Sequence, residues 1–291
     1  MLETFVPLQI KTSGASIHVM KAGSGEPLLL LHGYPQTHVM WHKIAPRLAD
    51  SFTVVLADLR GYGDSSKPKE EPDHATYSKR ALAQDMVEVM SQLGYQSFHV
   101  VGHDRGARVT HRMLLDHGQR IKRAAVLDIV PTYEMYQTTD KEFATAYYHW
   151  FFLIQPAELP ERLITAQADY FLRSTLKSVS ADISAFTPEA VAQYVRCLSD
   201  PATVHGMCED YRASASIDLQ HDEADLQQKV RCPLLILWGA NGFIGRKYDI
   251  LAIWRERAEM VRGYAIPAGH FLAEEAPEET YHALQLFFSQ R

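Results

Sequence analysis

The 291-residue chain is sparing with cysteine and asparagine. Its three cysteines, Cys197, Cys208 and Cys232, form no C-x-x-C pair. A small, odd count excludes a disulfide framework and fits reduced thiols in a cytoplasmic protein. The lone asparagine, Asn241, lies outside any glycosylation sequon. No apolar run approaches the ~18 residues that a membrane span needs. The opening segment Met1-Leu-Glu-Thr-Phe-Val6 lacks a basic stretch leading into an apolar one, so no signal peptide is expected. Repeats, low-complexity tracts and flexible linkers are missing too. So are H-E-x-x-H, G-x-G-x-x-G and P-loop motifs, and neither a metal nor an organic cofactor is expected. Basic charge is not in excess: 29 Lys and Arg face 35 Asp and Glu, a net charge of −6. That balance offers no general footprint for nucleic acid or acidic membranes. Taken alone, it also argues against an anionic small substrate.

What is there is an ordinary globular composition, 46% apolar and 22% charged. The length suits one domain with a large insertion. Two antiparallel strands are expected near the start, Phe5–Lys11 and Ser16–Lys21. Short apolar runs, of the kind buried on both faces of a sheet, follow at Pro27–His32, Thr53–Asp58, Phe98–Gly102, Ala124–Asp128, Pro233–Trp238 and Val261–Ile266. Helical patterns separate them at Tyr77–Leu93, Arg105–Asp116 and Pro277–Phe288. This alternation predicts an α/β fold, a mostly parallel sheet with helices on both faces. Between about Pro131 and Gln220 the pattern is helical only and rich in aromatics. Within it, Thr187-Pro-Glu reads as an N-cap followed by a helix-starting proline. Such an insertion is most simply a helical cap over the carboxyl ends of the strands, where α/β proteins place ligands. The expected organisation is core 1–130, cap 131–220 and core 221–291.

Chemistry concentrates at Gly102-His-Asp104-Arg-Gly106, which follows a buried run and opens a helix, the setting of a nucleophile elbow. Its glycines permit a tight turn and close helix–strand packing. Aspartate stands where G-x-S-x-G hydrolases carry serine. The plainer reading is a strand-end aspartate capping the next helix. As a nucleophile, a carboxylate suits sp³ carbon, because attack on an ester or amide carbonyl would give a strained anhydride. Displacing a leaving group gives an alkyl-enzyme ester, which water then opens. A general base must activate that water, and a second carboxylate must hold the base. His270 is the candidate base; with 14 histidines in the chain, an ordinary surface histidine is the alternative. Arg105 and Arg108 lie one turn apart at a helix N-terminus, where the macrodipole disfavours each cation by roughly 0.3–1 kcal/mol. An anion should offset this, either Asp104 together with a substrate carboxylate, or simply Asp104 and surface acids.

Several segments carry a family resemblance. His32-Gly-Tyr-Pro-Gln36 is similar to the oxyanion loop of α/β-hydrolases, and Asp58-Leu-Arg-Gly-Tyr-Gly-Asp-Ser65 to their D-x-R-G-x-G-x-S turn. Ala268-Gly-His270-Phe resembles their catalytic-histidine loop. The match spans nearly the whole chain and implies the α/β-hydrolase fold. Gly102-His-Asp-Arg-Gly-Ala-Arg108, Asp128-Ile-Val-Pro-Thr-Tyr133 and His149-Trp150 closely resemble the haloacetate dehalogenases, especially those acting on fluoroacetate.

The resemblance implies Asp104 as nucleophile, Asp128 as acid and His270 as base. Many relatives place the acid after the strand matching Pro233–Trp238, but Gly239–Gly245 holds none, and Asp249 is the fallback. Arg105 and Arg108 would hold the carboxylate of a small haloacid. His149, Trp150 and Tyr211, the last within His205-Gly-Met-Cys-Glu-Asp-Tyr-Arg212, would receive the halide, and all three side chains carry suitable donors. For Trp150 and Tyr211, cap packing is the plainer reading. The N–H groups of Tyr34 and Arg105 would form the oxyanion hole, with Tyr34 also shaping the pocket. Relatives carry a Trp near Val179, where this chain reads Lys177-Ser-Val-Ser, so pocket size and halogen preference stay open. Epoxide hydrolases and haloalkane dehalogenases usually have Trp after the nucleophile; Arg105 stands there. Epoxide hydrolysis by the same three residues, with Tyr147, Tyr148 or Tyr211 as acid, is the alternative. A non-catalytic receptor for small acids is a third. A homodimer is expected.

Overall fold

The computed structural model describes residues 1–290. Eight strands form one sheet: β1 (Val6–Lys11), β2 (Ser16–Ala22), β3 (Glu26–Leu31), β4 (Phe52–Ala57), β5 (Phe98–His103), β6 (Ile121–Leu127), β7 (Leu234–Gly239) and β8 (Val261–Ile266). They lie in the order β1-β2-β4-β3-β5-β6-β7-β8. β2 runs antiparallel to both β1 and β4, and every pairing from β4 across to β8 is parallel. The sheet is thus the mostly parallel one that the alternation predicts. Leu28–Leu31, Val54–Ala57 and all of β5 are buried, as the unbroken apolar runs require of strands covered on both faces.

Two of the helices serve the site directly. The first, α1 (Lys79–Gln92), begins later than its apolar pattern, because Ser78 Oγ accepts the Ala81 N–H and caps it. Residues Ala75–Tyr77 form a separate 3-10 turn. The second, α2 (Arg105–Asp116), starts directly at the elbow. After β6 the chain enters eight helices, from Thr132–Gln137 to Ile217–Ala224, before returning to the sheet at β7. One of these, α3 (Pro201–Ser214), carries Tyr211 and is mostly buried. The helical insertion therefore ends slightly beyond the expected limit at residue 220. Among the described residues, no helix is long and apolar enough to cross a membrane.

The D-x-R-G-x-G-x-S turn fastens these parts together. Asp58, at the end of β4, accepts the His38 N–H at 2.8 Å, the His38 ring at 2.9 Å and the Asp64 N–H at 2.9 Å. It thereby ties this turn to the segment after the oxyanion loop. Arg60 makes two bonds to Asp85 of α1, at 2.7 and 2.8 Å, with both side chains buried. Close backbone approach explains the elbow glycines. A Cβ on Gly106 would sit 2.4 Å from His32 O and 2.5 Å from Leu31 O. On Gly102 it would sit 2.3 Å from Gly106 O. Replacing Gly106 with alanine is therefore predicted to destabilise the protein by about 1–3 kcal/mol, the cost of overpacking against backbone. Urea titration measures this, and unchanged stability would contradict it.

Candidate active site

The carboxyl ends of the parallel strands converge on one buried point. Asp104, just after β5, has φ +47°, a conformation side chains rarely adopt, and its carboxylate is buried. Its Oδ1 accepts the Tyr34 N–H at 2.8 Å, from the loop after β3. The side chain of Asp104 does not cap α2, so the plainer reading fails there. No hydrogen bond joins it to the Arg105 N–H, so only the Tyr34 half of the expected oxyanion hole is engaged in this state. Asp128, just after β6, also has positive φ, +53°. Its Oδ1 accepts the Gly239 N–H at 2.9 Å, and its Oδ2 lies 2.6 Å from His270 Nδ1. The other ring nitrogen, His270 Nε2, is 3.8 Å from Asp104 Oδ2. Three residues from three strand ends thus line up as Asp128–His270–Asp104. His270 is buried rather than on the surface. Asp249 is exposed and caps the helix Ile250–Arg257, so it takes no part.

The charges reinforce this line. Burial pushes the Asp104 carboxyl up, but His270, His103, Arg105 and Arg108 pull it down to about 2. It is ionised at neutral pH. Burial opposes a charged His270, yet the hydrogen bond and charge of Asp128, with Asp104 beyond, leave its pKa raised. Asp128 bonded at Nδ1 leaves Nε2 facing Asp104, the arrangement that lets a histidine take a proton there.

The two arginines behave differently from one another. Neither forms an ion pair with Asp104. Arg105, fully buried, donates from Nε to Asp210 Oδ2 at 2.7 Å and from Nη2 to Asp210 O at 2.8 Å and to Ser214. Its counter-charge is therefore a cap residue, Asp210, rather than Asp104 or a surface acid. Only its Nη1 lacks a partner. Arg108 has no carboxylate partner among the described residues. It donates to Val130 O at 3.0 Å, to Thr132 Oγ1 at 3.1 Å and to Met135 Sδ at 3.0 Å, and its buried Nε is unpartnered. Burial and the neighbouring Arg105 both disfavour its charge. An arginine stays protonated nonetheless.

Around the arginines lie His149, Trp150, Tyr211 and Tyr34. Arg108 sits 4.6 Å from the Trp150 ring and Arg105 4.0 Å from the Tyr211 ring. Tyr34 stacks on His149 at 5.6 Å and meets Tyr211 edge-on at 5.3 Å. These aromatics do pack the cap core, as the plainer reading holds. Packing leaves their polar ends unexplained, however. Trp150 Nε1, Tyr211 Oη and Tyr34 Oη are buried without a hydrogen-bond partner. Burial, helped by the nearby cations, pushes His149 down to about 3, so its ring is neutral. A cleft of about 130 Å³ lined by Tyr147, Val179, Phe243 and His270, among others, leads to the base.

Some contributors were not singled out from the sequence. Asp210 stands directly before Tyr211, yet a lone acid on a helix gives no sign that it will face inward. It also accepts from Tyr62 Oη at 2.7 Å and pairs with Lys79 of α1. His103, within the elbow itself, bonds through Nε2 to His270 O at 2.8 Å.

Comparison with known proteins gives the arrangement a context. Residues 26–277 match a family model described as alpha/beta hydrolase fold. A fluoroacetate dehalogenase from Burkholderia sp is 44% identical over 290 residues, 99% of this chain and 95% of that protein. A soluble epoxide hydrolase from Corynebacterium sp. (strain C12) is 34% identical over 97% of this chain and 96% of that protein. A crystal structure of an alpha/beta hydrolase candidate from Nostoc sp PCC 7120 superposes with a TM-score of 0.99 and 63% identity, over 100% of both chains.

The hydrogen bond at 2.6 Å between His270 and Asp128 makes a direct prediction. By NMR titration, His270 should lose its proton above the ordinary histidine pKa of about 6.5. Asp128→Asn should bring that pKa below the ordinary value, since burial then acts with little opposition. A His270 titration unchanged by the substitution would contradict the assignment.

Proposed function

Because the chain belongs to the alpha/beta hydrolase fold family, we propose that it is a hydrolytic dehalogenase of small 2-halo acids, converting fluoroacetate or a related haloacetate to glycolate and halide. The observation that carries this reading is Arg108, a buried cation with no carboxylate partner among the described residues. Burying a charge without a paired counter-charge is costly. A substrate carboxylate would remove that cost, with the free Nη1 of Arg105 as a second donor. The unpartnered Trp150 N–H and Tyr211 O–H, with the neutral His149 ring, are donors for a departing halide.

The chemistry follows from which atoms are already occupied. Asp104 Oδ1 is held by the Tyr34 N–H, so Oδ2 is the oxygen that attacks the halogen-bearing carbon. The new C–O bond forms as the carbon–halogen bond breaks, and the halide leaves with the electron pair. This yields an ester of Asp104. Water then adds to the ester carbonyl carbon while His270 Nε2 takes its proton. Negative charge develops on Oδ1, where the Tyr34 N–H already points. Collapse breaks the bond between Cγ and Oδ2, and the proton on His270 passes to the departing glycolate oxygen. The new Asp104 carboxyl loses its remaining proton to restore the carboxylate, so one proton is released with each halide. Asp128 stabilises the imidazolium meanwhile.

Epoxide hydrolysis is the second reading. It is favoured by the buried Tyr211 O–H, which has no partner and suits an epoxide oxygen. A neutral epoxide, however, would leave Arg108 unpaired. The purified protein should release halide from fluoroacetate, chloroacetate or bromoacetate. Asp104→Asn should abolish release, and Arg108→Leu should raise KM by about 10- to 100-fold, the loss of a charge-assisted pair of about 1.5–3 kcal/mol. No halide release from any of the three acids, with turnover of styrene oxide, would decide for the second reading.

A further inference from the structure

His270 is fixed by more than its side chain. Its C=O accepts from His103 Nε2 of the core, at 2.8 Å. Its N–H donates to Val179 O of the cap, at 3.0 Å. The residue before it, Gly269, lies flat against the same cap segment. A Cβ there would sit 2.4 Å from Ala181 N and 2.9 Å from Val179 O.

One carboxylate closes this junction. Glu275 Oε2 accepts the N–H groups of Gly269 at 3.0 Å, Ala181 at 2.7 Å and Asp182 at 3.2 Å. Its Oε1 accepts the Phe271 N–H at 2.9 Å. Two of these donors flank His270, and two belong to the cap just after the helix Ala168–Val179. Among the described residues, no lysine, arginine or histidine lies within ion-pair distance of Glu275, so backbone donors alone meet its charge. Hydrogen bonds to a charged acceptor are the stronger kind.

We propose that Glu275 is a positioning residue for the base: by clasping the cap turn at residues 181–182 to the loop at 269–271, it holds His270 Nε2 where water must be activated. The cap then orders the base as well as covering the pocket. This inference rests on the two-step reaction proposed above, because only its second step uses His270. Alkylation of Asp104 needs the arginines and the halide donors, none of which touches Glu275. Loss of the clasp should therefore slow opening of the ester and leave its formation intact.

The test is intact-protein mass spectrometry of Glu275→Gln and Glu275→Ala during turnover of fluoroacetate, with kcat measured alongside. Steady-state kcat should fall about 10- to 100-fold, the usual effect of a small misplacement of a catalytic group. The alkylated enzyme should accumulate, preceded by a burst of one fluoride per active site. Gly269→Ala, which forces the same junction apart from the loop side, should show the same accumulation and covers the case in which the Glu275 variants fold poorly. Unchanged kcat, or a fall without alkylated enzyme, would overturn the inference. His270→Asn serves as the control. If it too traps no ester, the two-step reaction fails; if it does while the Glu275 and Gly269 variants do not, only the clasp fails.

Discussion

The candidate site depends on one buried arginine that has no ion-pair partner among the described residues. Arg108 enters the interior at the start of α2, where the helix dipole already disfavours it. Carbonyl and hydroxyl oxygens satisfy part of its guanidinium, but none carries a formal charge. Its neighbour Arg105 is neutralised by Asp210, which in turn is shared with Lys79 and Tyr62. Arg108 is thus left without an anion of its own among the described residues. In the proposed reaction an anionic substrate would approach the anionic Asp104, a pairing that would repel in isolation. His270, His103 and the two arginines together hold Asp104 ionised, and the arginine charge would make that approach tolerable.

The cap is integral to this balance. It supplies Asp210, the aromatic donors and the turn that grips the His270 loop. Buried ion pairs run between cap and core at Lys79–Asp210 and Arg105–Asp210, and breaking one partner of such a pair costs about 3–5 kcal/mol. Glu274 adds a further link between cap and core. It accepts from Gln36 of the oxyanion loop at 2.7 Å and from Tyr194 of the cap at 3.1 Å. Burial pushes its carboxyl up to about 8. Three loops near Asp104 are therefore tied to the same helical insertion.

The sheet was readable because most of its parallel strands are apolar runs that alternate visibly with helical patterns; the edge strand β8, with Arg262 and Gly263 inside it, is mostly not buried. The elbow was readable because backbone crowding demands glycine at 102 and 106. Helix starts were less so, since Ser78 sets the start of α1 by a side-chain cap that apolar periodicity does not reveal. The partners of charged groups were least readable. Arg105 and Asp210 are far apart in sequence, and their pairing depends on how the cap docks. The same holds for Glu275, whose four backbone donors come from two segments. Motifs report which groups must exist, whereas long-range pairing decides which of them remain open to a ligand.

That open charge is accessible to one binding measurement. Titration calorimetry of the Asp104→Asn variant, which cannot be alkylated, compares fluoroacetate with fluoroacetamide, a neutral molecule of nearly the same shape. Binding of the acid and not of the amide is the predicted result. Equal binding of the two, or binding of neither, would contradict a pocket built around an unpaired Arg108.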